Sequence, residues 1–122
     1  MNNLVSIIEI PVEDFSRAVN FYQTVMGIPI EEMEMDGNLM GVFPSEGQTV
    51  NVCLVKGDDY VPTTTGAVLY LYAGDVLDLM LERITSSGGQ VIVGKTEIDP
   101  EMGCYAMFID SEGNKLGLHG IS

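Results

Sequence analysis

Three kinds of side chain in this sequence could carry chemistry. His119 is the only histidine of the 122 residues, and Cys53 and Cys104 are the only cysteines. An imidazole beside a carboxylate can transfer protons, and Glu9 offers a carboxylate within an apolar stretch. A nucleophilic cysteine needs a nearby base or positive charge. The simpler interpretation is that each cysteine is a small buried residue. Similarly, His119 could be a surface residue near the C-terminus and Glu9 a solvated charge, without a catalytic role.

A second group of candidates lies in the segment 95–105, KTEIDPEMGCY. Lys95, Glu97 and Tyr105 supply polar groups, and Met102 with Gly103 is typical of a flap that can cover a binding site. Functional residues concentrate in such loops, which favours a role in ligand binding. The alternative is an acidic, solvated hairpin without a role in binding.

The elements that must position these residues follow from periodicity. Residues 4–12 are apolar and β-branched, which predicts a strand, and residues 67–72 predict another. Each is followed by a helical pattern. The first can be capped by Asp14 or Ser16 and ends at Gly27, and the second is capped by Asp75 and ends at Gly88. Both Asp-to-Gly spacings are thirteen residues, so the chain contains an internal repeat.

Three β-like stretches follow each predicted helix: 28–35, 38–44 and 49–55 in the first half, and 90–97, 104–110 and 115–119 in the second. The tripeptide Ser-Glu-Gly precedes the last stretch of each half, at 45–47 and at 111–113. The sequence therefore predicts two pseudo-symmetric βαβββ modules of the α+β class, at 1–56 and 67–122, with a turn-rich linker at 57–66. One module alone is too small to stand without its partner, so we expect a shared core and a single domain.

The motif D-x-x-x-A-x-x-F-Y-x-x-x-x-G at 14–27, together with the D-x-x-G-N turn at 110–114, resembles the vicinal oxygen chelate superfamily. That superfamily includes glyoxalase-type lyases, extradiol dioxygenases and bleomycin-resistance proteins, and the resemblance covers nearly the whole chain. It looks closest to short glyoxalase-like bacterial proteins. The resemblance implies that the two modules form a cup-shaped sheet whose concave face holds the functional site.

Metal enzymes of this superfamily place one ligand on the first strand and one on the last strand of each module. Carried through the repeat, these positions are Ile7 and Asn51 in the first half, and Val68 and Gly117 in the second. Only Asn51 has an oxygen to offer, whereas a divalent ion needs several carboxylate, imidazole or carbonyl ligands. We therefore predict no metal and no other cofactor.

Alternation along the strands predicts which side chains line the cup. The expected lining comprises Ile7, Glu9, Asn51, Cys53, Val68, Tyr70, Tyr72, Lys115 and His119. The resemblance also implies that the ligand positions converge, so Glu9 and His119, each two residues beyond one of them, are expected to form an acid/base pair. A bulge would exchange the two faces of a strand.

The composition disfavours some classes of binding partner. The net charge of −13 disfavours nucleic acid and anionic membranes, and no apolar stretch reaches membrane-spanning length. Two cysteines without metal or disulfide spacing indicate a cytoplasmic protein. The many apolar β positions leave sheet surface that a monomer covers poorly, and members of the resembled family commonly form dimers. We therefore predict a homodimer.

The sequence is compatible with two functions. The first is metal-free binding of a small molecule in the cup, as in bleomycin-resistance proteins, with a neutral apolar or cationic ligand. The second is a lyase or isomerase of the glyoxalase type, related to lactoylglutathione lyase, which would use Glu9 and His119 for proton transfer. A metal site displaced from the expected positions would also restore lyase chemistry.

Overall fold

The computed structural model describes residues 4–45, 47 and 50–122. The first half contains β1 (Ile7–Pro11), α1 (Phe15–Met26), β2 (Glu31–Met35), β3 (Asn38–Val42) and β4 (Asn51–Lys56). The second contains β5 (Tyr70–Gly74), α2 (Leu77–Ser86), β6 (Gln90–Asp99), β7 (Gly103–Ile109) and β8 (Lys115–Gly120). Neither described helix is long and apolar enough to cross a membrane.

Each half forms its own four-stranded sheet, and the two sheets have the same topology. The strand order is β1-β4-β3-β2 in the first and β5-β8-β7-β6 in the second, with one parallel pair, β1–β4 or β5–β8, in each. This confirms the predicted α+β fold built from two βαβββ modules. The parallel pair brings the first and last strands of a module side by side, which is where its candidate site residues lie.

One hydrophobic core joins the two halves. The buried side of each sheet packs on the helices, with Ile10, Val12 and Leu54 from the first half and Leu71 and Leu118 from the second. Alternation predicted these core residues correctly because the helix-facing side chains of both sheets are buried. On the opposite face, Cys53 and Val55 of β4 are buried as well, and the exposed remainder of that face is left for ligands, partners or solvent.

The turn between β7 and β8 fastens the second half to the first. The Asp110 carboxylate accepts hydrogen bonds from the Tyr22 hydroxyl at 2.6 Å and from two backbone N–H groups of its own turn, those of Glu112 and Asn114. The Asn114 side chain donates to the Pro11 carbonyl at 2.7 Å. The D-x-x-G-N motif thus acts structurally, as a clamp between the modules.

Glu112 makes the second part of this clamp. Its carboxylate accepts from the backbone N–H groups of Glu13 and Asp14 at 2.9 and 2.6 Å, and it forms an ion pair with Arg17 at 2.7 Å. The free N–H groups at a helix start favour a negative charge. Burial alone would raise the pKa of Glu112, but the hydrogen bonds from Arg17, Asp14, Ser111 and Glu13 outweigh it and lower the pKa.

The two helices begin differently, which corrects one prediction. Of the two expected caps, Asp14 caps α1 and accepts from the Arg17 N–H, and Gly27 follows the helix with a φ of 67°. The N-terminal cap of α2 is Val76 rather than Asp75, with no side-chain hydrogen bond, and its C-terminal cap is Ser87 instead of Gly88. The equal Asp-to-Gly spacings therefore indicated the repeat correctly but misplaced the start of α2.

Several strand boundaries also differ from the predictions. The strand expected at 67–72 is β5 at Tyr70–Gly74, because pairing with β8 begins at Tyr70. β6 extends to Asp99 and β7 begins at Gly103, so most of the segment 95–105, expected as a loop, is hairpin strand. Glu46 of the first Ser-Glu-Gly and Thr49 of the predicted strand 49–55 lie outside the described residues.

The register corrects the internal alignment of the first strands. Ile7 lies opposite Asn51, whereas Gly117, the counterpart of Asn51 by the Ser-Glu-Gly spacing, lies opposite Tyr70. The second-half equivalent of Ile7 is therefore Tyr70 and not Val68. The prediction failed because it counted back from Asp75, which does not cap α2, and because a register irregularity separates Tyr72 from Gly74.

Candidate functional site

The exposed face of the second sheet forms an aromatic cavity of about 470 Å³. Every strand of that sheet contributes to it, and the β6–β7 turn adds Met102. Its lining residues are Tyr70, Tyr72, Ile98, Met102, Tyr105 and His119. None of them is a carboxylate, a lysine or an arginine, so the cavity offers aromatic rings, apolar carbon and a few uncharged polar atoms.

The rings of this cavity are arranged in two pairs. Tyr70 and Tyr105 meet edge to face with their centroids 6.4 Å apart, and Tyr72 lies 6.2 Å from the His119 ring. Such separations suit aromatic pairs, which prefer edge-to-face or offset geometry. Tyr70 remains 46% exposed and Tyr72 63% exposed, so their rings are available to a ligand.

Gly117 leaves room for the Tyr70 ring. A Cβ atom built on Gly117 would overlap ring atoms of Tyr70. The tyrosine ring therefore occupies the space that the side chain of residue 117 would need. This is the last-strand position at which the resembled metal enzymes carry a ligand.

His119 is held by the tip of the β6–β7 hairpin. Its Nε2 atom lies 2.6 Å from the Met102 carbonyl oxygen. A carbonyl oxygen only accepts hydrogen bonds, so Nε2 carries the hydrogen, and Nδ1 of the neutral ring is left as an acceptor. If His119 took up a proton during a reaction, it would do so through Nδ1.

A second cavity of about 400 Å³ lies at the seam between the halves, and we call it the seam cavity. Glu9 and Lys115 are its only charged lining residues, and Val68 also lines it. Glu9 accepts a hydrogen bond of 2.8 Å from the Tyr60 hydroxyl in the linker. This bond, with a smaller contribution from burial, raises the pKa of Tyr60.

The structure does not bring Glu9 and His119 together. Glu9 lines the seam cavity and bonds to Tyr60, whereas His119 lines the aromatic cavity and bonds to Met102. The expected acid/base pair is therefore absent from this arrangement of the chain. The two residues sit at matching register positions of different sheets, opposite Cys53 and Tyr72 respectively.

Cys53 is not an activated nucleophile. It is 5% exposed, and its thiol faces the Ile8 carbonyl at 3.8 Å. Burial raises the pKa of the Cys53 thiol, and the negative charge of Glu9 raises it further. The thiolate is thus disfavoured, as the interpretation of a small buried residue predicted.

Five predicted ligand-binding residues line neither cavity, and the buried Cys53 is one of them. Ile7 and Asn51 are exposed on the first sheet. Lys95 forms an exposed ion pair with Asp78 of α2 at 3.3 Å. Glu97 lies opposite the buried Cys104, so alternation directs it to the helix side of the sheet. The alternative of a solvated acidic hairpin describes Lys95 and Glu97 better, while Met102 and Tyr105 do reach the cavity.

Two residues that contribute to the cavities, Tyr60 and Ile98, were not predicted from the sequence. Tyr60 bonds to Glu9 from within the linker, where the abundance of turn-forming residues concealed it. Ile98 lines the aromatic cavity from the extended part of β6. Ile98 lies two residues beyond Thr96, which pairs with Tyr105, so knowledge of that register would have identified it.

A family model for the Glyoxalase/Bleomycin resistance protein/Dioxygenase superfamily matches residues 4–118. The chain belongs to this superfamily. A glyoxylase-like domain-containing protein of Didymella fabae is 28% identical over 124 aligned residues, which cover 93% of this chain and 91% of that protein. The resemblance drawn from the two motifs is thereby confirmed.

Solved structures of the superfamily share the fold. TnmS3, an antibiotic binding protein from a Streptomyces species, has a TM-score of 0.72 and 25% identity, covering 98% of this chain and 97% of its own. A FosX fosfomycin resistance protein from Listeria monocytogenes, complexed with Mn(II) and a dihydroxypropylphosphonic acid, has a TM-score of 0.69 and 22% identity, covering 98% and 90%. Glyoxalase I of Zea mays has a TM-score of 0.72 and 17% identity over 94% of this chain, which spans only 45% of the maize chain.

The superfamily contains metal enzymes, so the donor set at the corresponding positions is informative. With the corrected register these positions are Ile7, Asn51, Tyr70 and Gly117. They include no carboxylate and no imidazole, and the described residues contain no cluster of three or more His, Cys, Asp or Glu side chains that could hold an ion. These residues do not fit a divalent cation.

Proposed function

We propose that this superfamily member binds a small, mainly apolar molecule in the aromatic cavity, without using a divalent metal, and so sequesters it. The observation that carries the proposal is the lining itself: three tyrosines, a histidine, a methionine and an isoleucine around about 470 Å³. Ligand sites are typically concave and largely apolar, with a few oriented polar groups. The tyrosine hydroxyls and His119 Nδ1 are such groups here.

Two further observations support binding over catalysis. Glu9 and His119 line different cavities, so the proton-transfer pair that a lyase or isomerase would need is not assembled. TnmS3, which is 25% identical over nearly its whole length, is described as an antibiotic binding protein. A sequestering protein needs affinity alone, and an aromatic cavity open to solvent supplies it.

The test is a fluorescence titration with the neutral apolar probe N-phenyl-1-naphthylamine in the presence of EDTA. We expect saturable binding that loses about tenfold in affinity in Tyr72→Ala and in Tyr105→Ala, since each removes a ring from the lining. Val61→Ala, which removes an exposed apolar side chain of the linker, is the matched control and should bind as the wild type does.

Metal dependence is measured in the same assay. Adding Mn²⁺ or Zn²⁺ after removal of EDTA should change neither the affinity for the probe nor the melting temperature. Binding that requires a metal, or binding that Tyr72→Ala and Tyr105→Ala leave unchanged, would show that the proposed function is wrong. Stoichiometric metal retention abolished by Glu9→Ala or His119→Ala would instead support the lyase.

We also propose that two copies of the chain associate. Large apolar side chains stand exposed on both sheets and on the β6–β7 turn: Ile7 and Tyr72 are each 63% exposed, Met102 is 54% exposed and Met35 is 52% exposed. Sedimentation at micromolar concentration should show a dimer that Ile7→Lys weakens. Val61→Lys, at a linker position 71% exposed, should leave it intact. Detection of only a 13.2 kDa species in the wild type would contradict the dimer.

A further inference from the structure

The position of the Tyr70 ring in the aromatic cavity depends on the absence of a side chain at Gly117. The two residues face each other across the parallel β5–β8 pair, and the Tyr70 ring lies over Gly117 where any larger residue would collide with it. The backbone of Gly117 does not have a positive φ, so the glycine is not required by the conformation of the strand. What requires it is the space taken by the ring.

The position of Tyr70 gives the cavity a supported aromatic surface. The β8 backbone lies under the ring, Tyr105 meets it edge to face at 6.4 Å, and 46% of the residue stays exposed. A ring supported on one side and open on the other suits offset stacking with a flat ligand. A saturated, puckered molecule of the same size gains only the burial of its apolar area.

We propose that the ligand of the aromatic cavity carries a planar aromatic ring, which stacks on Tyr70, and that Gly117 is the residue that positions Tyr70 for this contact. The inference rests on the proposed function, because it names the class of molecule bound at the same site. It also gives a use to the two positions of the second half that correspond to metal ligands in the resembled enzymes: here Tyr70 and Gly117 form an aromatic surface.

The experiment compares two neutral probes, 1-naphthol and decahydro-1-naphthol, which share one carbon skeleton and one hydroxyl. Calorimetric titration at neutral pH in the presence of EDTA should show that the wild type prefers 1-naphthol by roughly five- to tenfold, the amount expected of an aromatic pair beyond its area. Tyr70→Phe should keep this preference because it retains the ring. Tyr70→Leu should reduce it to less than about twofold while still binding both probes.

Gly117→Ala tests positioning separately from stability. It should abolish the preference by displacing the Tyr70 ring, and binding of decahydro-1-naphthol should stay nearly unchanged. A merely structural role of Gly117 would weaken both probes equally. Gly94→Ala is the matched control, since a Cβ there meets nothing within 4 Å and its φ is also not positive.

Each result decides the question. Equal affinity of the wild type for both probes, both lost in Tyr72→Ala, would overturn the planar-ligand inference and leave the proposed function standing. A preference that survives in Tyr70→Leu and Gly117→Ala would also overturn it, because the discriminating ring would then be another one. Failure of both naphthol probes and of N-phenyl-1-naphthylamine to bind the wild type would overturn the inference and the proposed function together.

Discussion

In the parallel strand pair of the first half, Glu9 lies opposite Cys53, and at the same register position of the second half Tyr72 lies opposite His119. The first pair combines an exposed carboxylate with a buried thiol, whereas the second combines two rings that face an aromatic cavity. Both are parallel pairs, and the register of the second pair becomes irregular only after Tyr72, so the side chains are what distinguish the two at this position. Duplication preserved the sheet and left each half free to specialise.

The turns before the last strands differ in the same way. Asp110 of the second half is 3% exposed and accepts hydrogen bonds from α1 and from its own turn, while Pro44 stands at the matching position of the first half. The second half therefore contains both the aromatic cavity and the clamp that joins the modules.

The largest effect is expected from Asp110→Ala. It removes the acceptor for the buried Tyr22 hydroxyl and for the N–H groups of Glu112 and Asn114. Each orphaned buried donor costs about 1–3 kcal/mol, so we expect a loss of about 3–5 kcal/mol in the free energy of unfolding. Urea denaturation measures it. Asp75→Ala removes an exposed carboxylate that caps nothing and should cost less than about 0.5 kcal/mol. Similar losses in both variants would show that Asp110 is not part of a clamp.

Glu112→Gln should cost about 2 kcal/mol at neutral pH, because the carboxylate makes charge-assisted bonds from a buried position. The pKa of Glu112 is lowered in the folded state, so its contribution to stability is full above the ordinary glutamate pKa. That contribution disappears as pH falls through the lowered pKa. The difference in unfolding free energy between wild type and variant should thus shrink in acid. A difference that stays constant between neutral and acid pH would contradict the charged role of Glu112.

The repeat and the core were predictable from the sequence because both depend on the local spacing and alternation of residue types. Alternation separated Leu54 and Leu118, which pack on helices, from Tyr72 and His119, which face the cavity. Pairing register depends on two strands together and cannot be read from one of them. The register irregularity between Tyr72 and Gly74 helps to explain why Val68 was predicted for the first-strand position that Tyr70 occupies. The separation of Glu9 from His119 depends on how the modules meet, which no local pattern contains.

The starts of the two helices offer a smaller test. Asp14 accepts a hydrogen bond from the Arg17 N–H, whereas no side chain caps α2. Asp14→Ala should therefore lower the free energy of unfolding by about 1 kcal/mol, and Asp75→Ala should have almost no effect. Thermal denaturation of both variants in one buffer measures the contrast. An equal loss would mean that Asp75 stabilises α2 through the charge alone.

The smallest effect concerns the pair Glu9 and Cys53 itself. Burial is the larger cause of the raised pKa of the Cys53 thiol, and the charge of Glu9 is the smaller one. Glu9→Gln removes only the charge, so the pKa of Cys53 should fall modestly and the thiolate should form at lower pH. The rate of modification by methyl methanethiosulfonate, followed against pH in a Cys104→Ser background, reports the midpoint of this titration. Using the midpoint rather than the rate separates a change of pKa from a change of access to the buried thiol. The same titration in Glu34→Gln, which removes an exposed carboxylate from β2, should match that of the background. A midpoint that Glu9→Gln leaves unmoved or raises would show that the carboxylate does not act on Cys53, and the first half would then hold two unrelated residues rather than a coupled pair.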